Sequence, residues 1–148
     1  MAERSNALMG KLTRKELSIA GAILYSCEGT RLRKNKRHKD NTYYWVIEFT
    51  NSNPALIKLF VAFLRKIIKI EESRLKGQLF IYSDLDKSKL EKFWLRVSGI
   101  ARVNLNKTII LKSKNTKYKP NPNGTFKTRY HSKEAFQRLD TLIDSVLK

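Results

Sequence analysis

The sequence predicts a single α+β domain built on an antiparallel sheet, on three observations. The chain has 148 residues, about the size of one domain. Apolar runs at helical and at strand spacing follow one another in the order α-β-β-α-β-α-β-β-α. The strands fall in adjacent pairs, which argues for hairpins rather than parallel β-α-β units. With 41% hydrophobic residues there is enough apolar material for a core, so wholesale disorder is excluded. No internal repeat or low-complexity tract is visible.

Residues 1–12 are expected to be a flexible N-terminus, and "MAERSNALMG" has no signal-peptide core. Thr13 is an N-cap, with Glu16 completing a capping box, for a helix from about Arg14 to Glu28 that Gly29 ends. "TRLRK" and "TYYWVIEFT" then read as strands joined by the polar loop "NKRHKDN". Alternation puts Trp45, Ile47 and Phe49 on one face, and Tyr44, Val46, Glu48 and Thr50 on the other. Asn51 to Pro54 supplies a cap and a first-turn proline. The helix "ALIKLFVAFLRKIIKI" follows, with a wide stripe at Leu56, Ile57, Phe60, Val61, Leu64 and Ile68.

"RLKGQLFIYS" reads as one strand, or as a tight hairpin turning at Lys76-Gly77. "DLDKSKLEKFWLRVSG" is a second amphipathic helix ended by Gly99. "KTIILKS" and "TFKTRYH" form another expected strand pair across the loop "KNTKYKPNPNG". Ser132 caps a last helix that carries Phe136, Leu139, Leu142, Ile143 and Val146 on one face.

Charge points to the partner. Lys plus Arg number 31 against 13 acids, a net +18, so a polyanion is expected, nucleic acid before an anionic membrane surface. From Lys92 to Lys133 there is no acid against eleven Lys or Arg, and from Thr30 to Ile47 Asp40 is the one acid. These two segments read as one docking surface. A single cysteine, Cys27, fits a reducing compartment. No apolar run approaches the ~20 residues of a membrane span, so a soluble, cytoplasmic protein is expected, nucleoid-associated if prokaryotic, with an organelle not excluded. His38, His131 and Cys27 are too scattered for zinc, and no glycine-rich phosphate loop or Ser/His/Asp grouping is visible.

The helix ending in "CEG", the basic hairpin and "IEFTNSNPALIKLFVAFLRKI" resemble the LAGLIDADG homing endonucleases, especially their short single-motif members. The similarity continues through "KLEKFWLRVSGI" and "NGTFKTRYHSKEAFQRLDTLI", so it covers nearly the whole chain from about residue 14. Over the name-giving letters the helix reads "GAILYSCEG", matching literally at the second, fourth and last positions, with Glu28 as the penultimate acid. The resemblance implies an αββαββα-like core, a saddle-shaped sheet lying on DNA and helices packed on one face. It implies a motif helix packed against its twin, and Gly21, Ala22, Ser26 and Cys27 offer the small residues for that approach. One motif copy implies a homodimer on a pseudo-palindromic site. The implied activity is Mg²⁺-dependent, site-specific double-strand DNA cleavage by an intron-encoded enzyme.

An acid at a helix C-terminus opposes the macrodipole, and a solvated helix-end acid is the plain reading of Glu28. With the resemblance, Glu28 becomes a Mg²⁺ ligand, joined by Gly29, since hard cations take oxygen ligands. Glu48 either positions metal-bound water or pairs with Arg31 or Arg33 across the hairpin. The resemblance implies a cation near the scissile phosphate, and Lys107, or Arg102, falls where it would stand, with a plain phosphate contact as the alternative. Arg31, Arg33, Lys34, Lys36, Arg37 and Lys39 on the first hairpin suit groove reading. Tyr43, Tyr44, Lys112, Lys114, Lys117, Lys119, Lys127 and Arg129 extend the footprint. Two alternatives stand: a non-catalytic DNA-binding regulator or RNA-binding intron maturase of the same fold, and a small basic RNA-binding protein of ribosomal type.

Overall fold

The computed structural model describes residues 11–29, 33–34, 43–112 and 121–148. Among them the chain forms four α-helices and a four-stranded mixed sheet. Helix α1 spans Arg14–Glu28, and its capping box is present in both directions: Glu16 N donates to Thr13 Oγ1 at 3.1 Å, and Thr13 N donates to Glu16 Oε1 at 2.8 Å. The Thr13 backbone N–H at the carboxylate, and after it the Thr13 side chain, stabilise the anion and hold the Glu16 pKa below its usual value. Gly29 caps α1 with φ −82, so no left-handed turn calls for glycine there. Space does: a Cβ on Gly29 would lie 2.2 Å from the Tyr25 ring.

Two short strands, β1 (Arg33–Lys34) and β2 (Tyr43–Tyr44), pair with each other in a separate antiparallel ribbon. The expected strand from Thr42 to Thr50 is therefore broken at Trp45 and resumes as β3, Val46–Asn51. Trp45 is held to the last helix: its carbonyl accepts from Ser132 N at 3.0 Å and its ring meets Phe136 edge-on at 5.9 Å.

Helix α2, Pro54–Phe63, starts on the Asn53 cap with proline in its first turn, as the sequence indicates. It continues as a π-helical turn, Leu64–Ile68, closed by Lys69 with φ 63. Lys69 N donates to Leu64 O at 2.8 Å, and Arg138 Nε donates to Ile68 O at 3.1 Å, so the exposed carbonyls are satisfied. Left-handed backbone costs a side-chain-bearing residue about 1 kcal/mol. Lys69→Gly is expected to raise stability by about that much, some 2–4 °C in Tm for a chain of this size, read by thermal unfolding. An unchanged or lower Tm would mean that the lysine side chain contributes more than its backbone costs.

Strand β4 is Lys76–Tyr82, a single strand with no turn at Lys76-Gly77. Helix α3, Lys87–Ser98, runs from the Asp86 cap to Gly99 at φ 70. Strand β5 is Ile109–Leu111, β6 is Thr125–His131, and α4 is Lys133–Leu147, capped by Ser132 Oγ. The strand order is β3-β6-β4-β5. This corrects the all-antiparallel expectation. β6 is antiparallel to both neighbours, but β5 lies parallel to β4. The physical reason is α3, which carries the chain back along the sheet, as a parallel crossover requires. β5 and β6 consequently do not pair, because β4 stands between them.

Alternation divides the sheet into two faces. One carries Ile47 and Phe49, then Phe126, Thr128 and Tyr130, then Gly77, Leu79 and Ile81, all buried. Helix side chains stack onto these rows. Phe60 of α2 lies 4.6 Å from Phe49, and Trp94 of α3 lies parallel to Phe126 at 5.2 Å. Trp94 Nε1 donates to Asn123 O at 2.7 Å, so its polar edge is satisfied inside the core. Tyr25 of α1 stacks on Phe60 at 5.5 Å.

Candidate nucleic-acid interface

Cross-strand register builds the opposite face in rows. Glu48 of β3, Arg129 of β6 and Lys76 of β4 lie abreast, and the next row is Thr50, Lys127 and Gln78. Then come Thr125, Phe80 and Ile109, and last Tyr82 with Leu111. One end of this open face is ionic and the other is aromatic and apolar. Lys76, Gln78, Phe80, Tyr82, Ile109 and Leu111 were not among the expected site residues. Alternation within "RLKGQLFIYS" groups the first four, but the sheet order decides that their face is the open one.

Glu48 is 7% exposed and its carboxylate lies 2.9 Å from Arg129 Nε. The Nε–H is not aimed at the oxygen, so this is a charge contact rather than an aligned hydrogen bond. Among the described residues Glu48 pairs with its register partner on β6, and the expected pairing with Arg31 or Arg33 lies outside them. Glu48 N also donates to Tyr25 Oη at 3.4 Å, tying β3 to α1. Arg74 donates to the His131 carbonyl and stands over the Tyr130 ring at 5.2 Å. Desolvation, with the Arg129 and Arg74 charges, pulls the His131 pKa down against the opposing pull of Glu48. Protonation of His131 therefore opposes folding, and stability is lost as pH falls through its lowered pKa.

Glu28 is exposed at the exit of α1 and has no ion pair with any described residue. An isolated bridge joins Gly29 to Phe49, which holds this exit against the outer edge of β3 beside Thr50. Along that row Thr50 pairs with Lys127. Lys107 lies elsewhere. Its carbonyl accepts from Gln78 Nε2 at 2.8 Å, and neighbouring Leu105 bridges Gly77 on the other side of β4. Three strands separate it from Gly29, about 19 Å at ~4.8 Å per step. Arg102, the other helper candidate, is 3.8 Å from Glu91, which also accepts from Thr108 Oγ1 at 2.6 Å. By register, Lys127 lies two strands from this exit in the row of Thr50, whereas Lys107 lies beyond β4.

Two of the four small residues of the motif helix act differently from expectation. Gly21 and Ala22 are buried inside the chain, and a Cβ on Gly21 would lie 2.1 Å from Phe63 Cγ. They make room for α2 rather than for a twin helix. What α1 leaves exposed is a seam of Ile19, Ile23 and Cys27, four residues apart, with Ile19 at 39% and Ile23 at 43%.

Arg31, Lys36, Arg37, Lys39, Lys114, Lys117, Lys119 and His38 lie outside the described residues, as do the side chains of Arg33, Lys34, Tyr43 and Tyr44. Lys112 is exposed just past β5. Among the described residues no group of three His, Cys, Asp or Glu is placed to hold a metal ion. No described helix is long and apolar enough to cross a membrane. A magnesium ion commonly binds through one or two carboxylates plus waters and substrate phosphates. Glu28 is one exposed carboxylate at the edge of that cationic face. No protein-family model matches the chain, and neither a curated protein nor a solved structure does.

Proposed function

We propose that this chain is a site-specific double-strand DNA endonuclease of LAGLIDADG type, acting as a Mg²⁺-dependent homodimer on a pseudo-palindromic site. The supporting observation is the placement of Glu28: an exposed carboxylate without a described cationic partner, fixed at the edge of an open sheet face that bears Lys127, Arg129 and Lys76. A cation held by Glu28 and Gly29 would supply Lewis-acid activation of water and neutralise charge at the phosphate. Lys127, two strands away along the same row, stabilises charge developing on the phosphodiester, the role that the resemblance gives to Lys107 or Arg102. Arg129 keeps Glu48 neutralised, so the ionic end of the face repels phosphate less than an isolated carboxylate would. The first hairpin and the 112–129 segment extend the cationic footprint. The Ile19, Ile23 and Cys27 seam supports the two-fold contact, in place of Gly21 and Ala22. The protein then works inside the cell, where its DNA is.

A second reading, a non-catalytic DNA-binding regulator or RNA-binding maturase of the same fold, is favoured by the engagement of Glu48 with Arg129, which withdraws one candidate catalytic acid. Incubating the protein and Mg²⁺ with a randomised duplex library and sequencing the ends separates the two. The proposed enzyme yields one family of pseudo-palindromic cut sites; its absence leaves the binder. Binding itself should weaken with salt, log K falling by about 0.9 per neutralised phosphate, and a slope shallower than about −3 contradicts the footprint. Replacing Lys112 and Lys114 should weaken binding to all sequences, whereas Arg31 or Arg33 replacement should also relax base preference.

The dimer has its own check. Ile23→Glu places a charge on the exposed seam, outside the chain's own core, so the fold should survive. Light scattering of the DNA complex is expected to give two protomers per duplex for the unaltered chain and fewer for Ile23→Glu. One protomer per duplex in both would remove the homodimer from the proposal.

A further inference from the structure

We infer that the β4–β5 half of the open face is a stacking platform for an unpaired nucleic-acid strand, with Phe80 and Tyr82 against its bases and Lys127 at its phosphates. Phe80 and Tyr82 stand two residues apart on one face of β4, and their register partners Ile109 and Leu111 continue the apolar surface onto β5. Ile109 is 38% exposed and Leu111 40%, so this corner offers apolar area to a partner rather than to the core. Lys127 Nζ lies 5.1 Å from the Phe80 ring centroid, which holds a cation and an aromatic face within the span of a single nucleotide. No acid occurs in β4, β5 or β6, and the chain carries +18, so the occupant is a polyanion with apolar faces.

Spacing selects the form of that polyanion. Side chains two residues apart on a strand are about 6.8 Å apart. Bases along one strand of a duplex rise by about 3.4 Å and show the sheet only their edges. Neighbouring rings here can each take a base only when the bases have come apart, as in a single strand. Stacking is indifferent to base identity because every base has a π-face. The inference rests on the nucleic-acid reading above, but it needs neither Glu28, nor Mg²⁺, nor a dimer.

The test measures binding of oligothymidylate and oligouridylate of about 15 nucleotides, and of a mixed-sequence duplex of similar length, without Mg²⁺. Phe80→Leu and Tyr82→Leu keep an apolar side chain and remove the π-face, and circular dichroism checks their fold. Each is expected to bind single strands at least about fivefold more weakly, the lower end of what stacking one base contributes. Duplex affinity should fall by clearly less than single-strand affinity, with its salt slope kept, because a duplex meets this face through edges and phosphates. Unchanged single-strand binding in both variants overturns the platform, and so does an equal loss on the duplex. If the unaltered chain binds no probe, the nucleic-acid reading fails and the platform with it. Cross-linking the unaltered protein to a 5-bromouracil strand avoids any dependence on variant folding: adducts on the peptide holding Phe80 and Tyr82 are expected, and adducts confined to other peptides overturn the inference.

Discussion

Glu28→Gln is expected to abolish Mg²⁺-dependent DNA cleavage while leaving the fold and DNA affinity intact. The substitution preserves the size and hydrogen-bonding reach of the side chain but removes the charge that a hard cation requires. Glu28 is exposed and makes no ion pair with a described residue, so no described native contact is lost. Losing a charge-stabilising group at a reacting centre typically costs about 10²–10³ in rate. Affinity should hold or rise, since an anion beside a phosphate-facing surface is removed. Glu48→Gln tests the other acid. Its carboxylate is buried against Arg129, so the amide should mainly cost stability by leaving the guanidinium without its countercharge. Equal cutting by the unaltered chain and Glu28→Gln, on a site drawn from the selection, would show that the acid is structural.

Gly21→Ala should be the most damaging small substitution in the motif helix, at about 3 kcal/mol by urea unfolding. Alanine in a helix interior ordinarily gains about 1 kcal/mol over glycine. Here the new methyl would meet the Phe63 ring at 2.1–2.6 Å, and Phe63 is fully buried beside Phe60 at 5.7 Å. The ring has nowhere to retreat, and overpacking of this kind costs about 1–3 kcal/mol before any backbone shift. Phe63→Leu should rescue part of the loss in the double variant, because the smaller side chain vacates the clash. A cost below about 0.5 kcal/mol, or strict additivity with Phe63→Leu, would show that α1 and α2 do not meet as closely as this.

The succession of helices and strands, save the break at Trp45, and most helix ends were legible in the chain itself. Thr13 with Glu16, the Asn51–Pro54 cap and proline, Ser132 and Gly99 act locally, through hydrogen bonds and backbone geometry within a few residues, so sequence suffices to place them. Strand periodicity was equally local, which is why Ile47 and Phe49 fell on the core face. The charge of +18 and its segregation are properties of composition, and they point to a polyanion without any fold.

Pairing between distant strands is a different kind of information. Nothing within "KTIILKS" or "TFKTRYH" says that β4 inserts between them; the crossover through α3 decides it, and with it the mixed sheet. That order moved Lys107 to the edge remote from Glu28 and put Arg129 opposite Glu48. It also made a face of Phe80, Tyr82, Ile109 and Leu111, residues that read in the sequence as ordinary strand material. Gly21 shows the same limit at smaller scale. Sequence shows a small residue on a helix, but only packing shows which neighbour fills the space it leaves. Short-range geometry was written in the chain, whereas the partners across the sheet and the core emerged only when segments far apart in sequence closed on one another.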